Sequence, residues 1–168
     1  YGIQDRDVYG AMQDIIISTE FKIAFYADII EKYYNVPSNF IPFPYNGEYH
    51  LYNGKLGEYN AKFSDNAYEI VYDGYSITYS LIEIAVYMGF KEIYLVGCDC
   101  SYPKGSKNHV VESGFIDKNA KSNPIRMRVG YQCAKEYADS HGIKIYNATR
   151  GGELETFERV DLDEILAK

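Results

Sequence analysis

An α/β fold is predicted, a Rossmann-like three-layer α/β/α arrangement with a mainly parallel sheet. Three observations predict it. Apolar helical patterns alternate with short β-rich runs along the chain. The clearest unit, residues 74–102 (GYSITYSLIEIAVYMGFKEIYLVGCDCSY), reads as loop, buried helix, tight turn, buried strand and polar tip. A second helix and strand follow it and end in another polar tip, NATRGG at 147–152. A right-handed crossover lays those two tips side by side, and open α/β sheets bind ligands beyond the carboxyl ends of their strands.

The elements are justified in order. YGIQD at 1–5 reads as a short strand, and Asp5 or Asp7 can cap a helix running to about Ile17. Phe21 to Tyr26 alternates and is β-rich, a strand. A short helix over 27–34 ends before Pro37. NFIPFPY at 39–45 is extended, but Pro42 and Pro44 keep it at a sheet edge. Residues 46–62 carry turn signals at Asn46-Gly47 and Asn53-Gly54 and read as a hairpin or a mobile loop. Residues 68–72 form a short extended piece. In the central helix, apolar residues from Ile77 to Met88 fit burial on most sides, and Gly89 stops it. Ile93 to Val96 has the composition of an interior parallel strand. A long polar stretch, 101–123, follows. Met127, Tyr131, Ala134, Tyr137 and Ala138 mark one face of a helix over 125–141, which Gly142 terminates before a strand ending at Tyr146. Residues 157–160 are extended, and Asp161 caps a last helix, 162–167.

At 168 residues with 46% apolar content, the chain fits a single domain with a real core. A net charge of -7 and no basic stripe exclude a nucleic-acid backbone as partner. Three cysteines without a paired framework indicate a reduced, cytoplasmic setting and no zinc knuckle. No apolar run reaches membrane-spanning length. Nineteen tyrosines with no tryptophan suit a sugar- or ring-binding cleft, or half-buried packing. The chain opens at Tyr1 inside what reads as a strand, so it is expected to be a fragment or a domain of a longer protein.

Four groups could carry chemistry. Asp73-Gly74-Tyr75-Ser76-Ile77-Thr78 opens the central helix. Its free N–H groups and the Ser76 and Thr78 hydroxyls suit a phosphate, unless Ser76 is a simple cap. Asp99, with Tyr102, stands at a strand tip, where a carboxylate can bind a ribose hydroxyl or a metal or act as a base, or else bonds loop amides. His109, with Glu112 as a weaker companion, sits in the long loop and is the natural base for a sugar hydroxyl, or a surface histidine. Asn147, Thr149 and Arg150 form the second tip, where Arg150 could clamp a phosphate or a carboxylate, or lie exposed in a turn. His50 reads as a loop residue, His141 as a partner of a helix C-terminus, and Arg126 and Arg128 as solvated.

These residues resemble a known family. The stretch GYSITYSLIEIAVYMGFKEIYLVGCDCSY, then NH and SG, then GIKIYNATRGGELETFERVDLDEIL, looks like the C-terminal two-thirds of the MptE-like domain, well over residues 63–167 and loosely over 1–62. That family takes its name from an archaeal 6-hydroxymethylpterin diphosphokinase and includes motility accessory factors and glycosyltransferases of surface-polysaccharide loci. Asp99, Tyr102 and His109 match its Asp-x-x-Tyr and downstream histidine. The same unit is similar to bacterial α-2,3-sialyltransferases, in which CMP-sialic acid binds at the strand ends without an essential metal and a loop histidine is the base. The helix before GIKIY lacks that family's His-Tyr pair, and the Gly-Asn-Gly-Pro-Ser-type phosphate loop of both families is not in this sequence.

The resemblance implies a nucleotide-sugar-dependent glycosyltransferase of surface-polysaccharide biosynthesis, cytoplasmic or at the inner membrane surface. It would use a CMP- or UDP-linked donor and a glycan acceptor, and a homo-oligomer is compatible with it. Ser76 and Thr78 would hold phosphate, Asp99 and Tyr102 would position nucleotide or sugar, His109 would be the base, and Asn147, Thr149 and Arg150 would line the opposite wall. The alternatives are a pterin diphosphokinase, which needs Mg²⁺ and converging carboxylates, and a non-catalytic nucleotide-binding remnant.

Overall fold

The structure, a computed structural model, describes residues 1–101 and 122–167. Its architecture mixes helices with short parallel strands. Strand β1 (Gly2–Ile3) leads into helix α1 (Arg6–Ser18), whose cap is Asp5; the Asp5 carboxylate accepts from the amides of Asp7 and Val8. Strand β2 (Phe25–Ala27) pairs in parallel with β1, and a 3-10 turn over Asp28–Lys32 follows it. Strand β3 (Ile41–Phe43) lies at the edge of this first sheet, as the prolines require. Of the strand expected over 21–26, only its end is paired.

Strand β4 (Tyr45–Asn46) pairs in parallel with β5 (Val71–Tyr72). Between them the expected hairpin or mobile loop is replaced by helix α2 (Glu48–Leu56). The reason lies at Asn46. Its side-chain oxygen accepts from the amides of Glu48 and Tyr49, at 3.1 and 3.4 Å, so the Asn-Gly pair opens a helix where a β-turn was expected. Tyr49 then packs edge-on against Tyr72, and His50 against Tyr75.

Helix α3 (Ile77–Tyr87) connects β5 to β6 (Glu92–Leu95). Ser76 caps its start. Gly89, at φ 92°, ends it in the left-handed conformation that spares a glycine any Cβ penalty, and the amides of Gly89 and Phe90 close back on Val86 and Ala85. Strand β6 pairs in parallel with β7 (Lys144–Asn147), and β7 with β8 (Glu158–Arg159). Helix α4 (Asn123–Ser140) precedes β7, and α5 (Leu162–Leu166), capped by Asp161, follows β8. The expected interior strand at 93–96 is instead the edge of a three-stranded sheet. Ile93 and Leu95 face the core while Tyr94 and Val96 face outward, Val96 at 58% exposure.

Two apolar cores flank α3. Ile77, Leu81 and Ile84 join the first, with α1, β2 and β3. Tyr79, Ile82 and Val86 join the second, with β7 and the expected face of α4: Tyr131, Ala134 and Ala138. Helix α3 is therefore apolar nearly all round because both sides are covered. Helix α4 crosses close to its start. A Cβ on Gly130 would overlap the Gly74 carbonyl oxygen, so the approach demands glycine.

One acid lies inside this packing. Glu83 is 1% exposed, and its two carboxylate oxygens accept from the amides of Ser64 (2.6 Å) and Tyr72 (2.8 Å). Burial pushes its carboxyl up to about 8, against the lowering effect of those two bonds. The folded chain thus holds a proton that the unfolded chain releases near pH 4.5, so this group's contribution to stability falls as pH rises from there toward 8. We expect Glu83→Gln to flatten that slope in urea unfolding across this range. It should also cost about 1–3 kcal/mol, since an amide oxygen can serve only one of the two buried N–H groups well.

Candidate functional site

The C-terminal ends of the strands share one rim, where α3 begins. Gln4, just past β1, donates to Asp73, just past β5, and accepts from Ser80 of α3. Tyr45 of β4 donates to Asp73 at 2.9 Å. On the far side of the same turn, the Cys98 thiol beyond β6 lies 4.0 Å from the Thr78 hydroxyl. The first turn of α3 therefore touches both sets of strand ends, through Ser80 on one side and Thr78 on the other.

The first cleft lies beyond β6 and β7, encloses about 490 Å³ and is lined in part by Gly97, Asp99, Thr149, Arg150 and Asp163. The two tips are bonded to each other. The Ala148 amide donates to Leu95 O, the Cys98 amide to Thr149 Oγ1 at 3.0 Å, and the Glu153 amide to Asp99 O at 2.6 Å. Adjacent tips were the sequence expectation, and Asp99, Thr149 and Arg150 do line one cleft. Asp99 is exposed, and one carboxylate oxygen accepts from the Ser101 amide. Arg150 reaches both carboxylate oxygens of Asp163, at 2.7 and 2.8 Å, with both side chains about three-quarters exposed. Burial pushes the nearby thiols of Cys98 and Cys100 up, Cys100 to about 11, so neither is a thiolate nucleophile at neutral pH.

Other expected residues are committed elsewhere. Asn147 is 1% exposed; its amide donates to Leu154 O and its oxygen accepts from the Thr149 amide, so it braces the tip from beneath. Ser76 Oγ accepts from the Thr78 amide and lies 3.4 Å from the Tyr131 hydroxyl, which places it behind the helix start as a cap. His109 and Tyr102 lie outside the described residues, as does Glu112.

The second cleft, of about 410 Å³, lies between β1, β4 and α2 and is lined in part by Gln4, Asp5, Tyr45, His50, Leu51 and Asp73. Its floor is the buried Asp73 carboxylate, which accepts from Gln4, from the Tyr45 hydroxyl, from the Tyr75 amide at 2.8 Å and from His50 Nδ1 at 2.7 Å. Burial works to raise this carboxyl, but His50, the Tyr45 hydroxyl and the Tyr75 amide outweigh it and hold Asp73 below the usual carboxylate range. Asp73 in turn helps burial push the Tyr45 phenol far up. Because an ionised carboxylate only accepts, Nδ1 of His50 carries a proton.

His50 therefore corrects its reading as a plain loop residue: it sits on α2 with a buried acid behind its ring. Arg126 is corrected too. It is only partly exposed, bonds Asn123, stacks over the Tyr75 ring at 5.8 Å and places Nη1 3.4 Å from His50 Nε2. His141 does sit at a helix end, its ring against Tyr137 O. The Asp73–His50 pair spans 23 positions of sequence, and only the acid, next to the Gly74-Tyr75-Ser76 turn, stood in a segment that drew notice. Among the described residues, no group of three or more His, Cys, Asp or Glu is arranged to hold a metal.

Compared with known proteins, the chain matches no family model, no curated protein and no solved structure. No described helix is long and apolar enough to cross a membrane.

The two kinds of tip residue separate in a stability measurement. Asn147→Ala leaves the Leu154 carbonyl and the Thr149 amide unpaired in the interior and should cost about 1–3 kcal/mol in urea unfolding. Arg150→Ala removes an exposed ion pair and should cost under about 1 kcal/mol.

Proposed function

We propose that this chain is part of a nucleotide-sugar-dependent glycosyltransferase acting in surface-polysaccharide synthesis, with the sheets belonging to a Rossmann-like three-layer domain. The observation that carries the reading is the cleft beyond β6 and β7. It lies at the carboxyl ends of parallel strands, where α/β proteins hold nucleotides, and it opens beside the first turn of α3. The exposed Asp99 carboxylate suits ribose or sugar hydroxyls. Arg150 can turn from Asp163 to an incoming phosphate, because its present pair is solvated and weak. Thr78, at the amide end of α3 and against Cys98, would approach that phosphate. A glycosyl transfer leaves negative charge on the departing phosphate, and donors at this rim meet that need. The resemblance to MptE-like and sialyltransferase sequences supports the same chemistry.

Titration calorimetry with CMP, UDP and ATP, with and without Mg²⁺, tests the reading. We expect CMP or UDP to bind without metal, and Asp99→Asn to weaken that binding about tenfold, or ~1.4 kcal/mol. Binding of Mg-ATP alone would move the assignment to a diphosphokinase. No binding of any of the three would leave a non-catalytic remnant.

A further inference from the structure

Glycosyl transfer to a hydroxyl needs a group that removes the hydroxyl proton. We propose that His50 is that base and that Asp73 is its positioning residue, an inference that rests on the transferase reading above. The arrangement is a carboxylate behind one imidazole nitrogen with the other nitrogen turned toward Arg126, on a ring that lines the second cleft. Asp73 accepts a hydrogen bond from the Nδ1–H at 2.7 Å, so in the neutral ring the lone pair is at Nε2. Three further bonds, from Gln4, Tyr45 and the Tyr75 amide, hold the carboxylate, and the edge of the imidazole packs against Tyr75 at 4.3 Å between centroids. The ring is therefore fixed, yet a quarter of its side chain remains open to solvent. Among the described residues, Nε2 itself meets Arg126, at 3.4 Å, a long contact that an incoming hydroxyl can replace.

The position fits the acceptor side of the reaction. The start of α3 touches both sets of strand ends, with Asp73 on the His50 side and Thr78 against Cys98 on the other. Transfer there requires a donor whose phosphate lies over the start of α3 and whose sugar reaches His50. The acceptor O–H gives its proton to Nε2. The oxygen forms a bond to the anomeric carbon as the bond from that carbon to the phosphate oxygen breaks, and the phosphate leaves with the electron pair. The imidazolium then returns its proton to water. Arg126, whose buried Nε has no hydrogen-bond partner among the described residues, places its positive charge 3.4 Å from Nε2, on the side where the reaction would occur. The charged and titratable groups around the ring are Asp73 and Tyr75 at the start of α3, Arg126 on α4, Tyr45 on β4, and Asp5, Arg6 and Asp7, which line the same cleft.

The test compares transfer from a nucleotide sugar with nucleotide binding in His50→Asn and His50→Ala. Asparagine keeps an N–H for Asp73 but offers no base. We expect transfer to fall by about 10²–10⁴-fold in both variants, with nucleotide affinity unchanged and the unfolding midpoint of His50→Asn near the parent's. Added imidazole should restore part of the activity of His50→Ala, which a purely structural role would not allow. If His50→Asn transfers as fast as the parent chain, the base assignment is overturned and the transferase reading stands. If activity is lost only together with nucleotide affinity, and imidazole restores none, His50 is structural and the assignment is overturned. If the parent chain neither binds a nucleotide nor transfers, both readings fall together.

Discussion

The buried carboxylate of Asp73 is the constraint on which the rest of the rim depends. A charge inside a protein is tolerated only when its lone pairs are met, and here they are met by four different parts of the chain: the end of β1, β4, α2 and the Tyr75 amide leading into α3. Any of these partners moving away would leave the charge under-satisfied, so the acid registers them against one another. Glu83, further along the helix, is held differently: burial keeps its carboxyl protonated, and it accepts from the amides of Ser64 and Tyr72. Helix α3 is thus pinned by an acid at its mouth and another along its length.

That pinning explains why one helix can be the shared wall of two cores. Its apolar side chains divide between the sheet of β1–β3 and the sheet of β6–β8, and the three small sheets are brought together through it. Chemistry follows from the same placement. A helix start between two sets of strand ends presents a nucleotide-sized cleft on one side and a carboxylate-backed imidazole on the other. On the proposed transferase reading, the first would take the donor and the second the acceptor, meeting at the start of α3.

Local signals made much of this legible in the sequence. Asp5, Ser76 and Asp161 are caps whose partners lie within three residues, and Gly89 and Gly142 take the left-handed conformation that ends a helix. The tips around Asp99 and Thr149 followed from the alternation of helix and strand. What was not legible depends on distant partners. Asn46-Gly47 spells a turn and a cap with the same letters, and the packing of Tyr49 and His50 on residues 72–75 favours the cap. A four-residue apolar run looks the same at a sheet edge as at its centre, because neighbours are counted in space. His50 gained its acid from 23 positions away, and Arg126 its ring from 51 positions away, beyond any spacing rule. Ser76 and Asn147 were expected to bind a nucleotide, but neighbouring backbone groups engage their side chains.

The tyrosines set an alkaline boundary for the fold. Tyr9, Tyr79 and Tyr131 are fully buried, their hydroxyls bonded to the Asn35 carbonyl, the Lys62 carbonyl and Ser76, and burial drives all three phenols upward. They remain neutral while the two cores are intact and ionise only when those cores open. Above about pH 10 the opened chain therefore sheds protons that the folded one retains, and each of these rings pulls the equilibrium toward unfolding. With no tryptophan to obscure it, phenolate absorbance reports the opening of these interior rings directly.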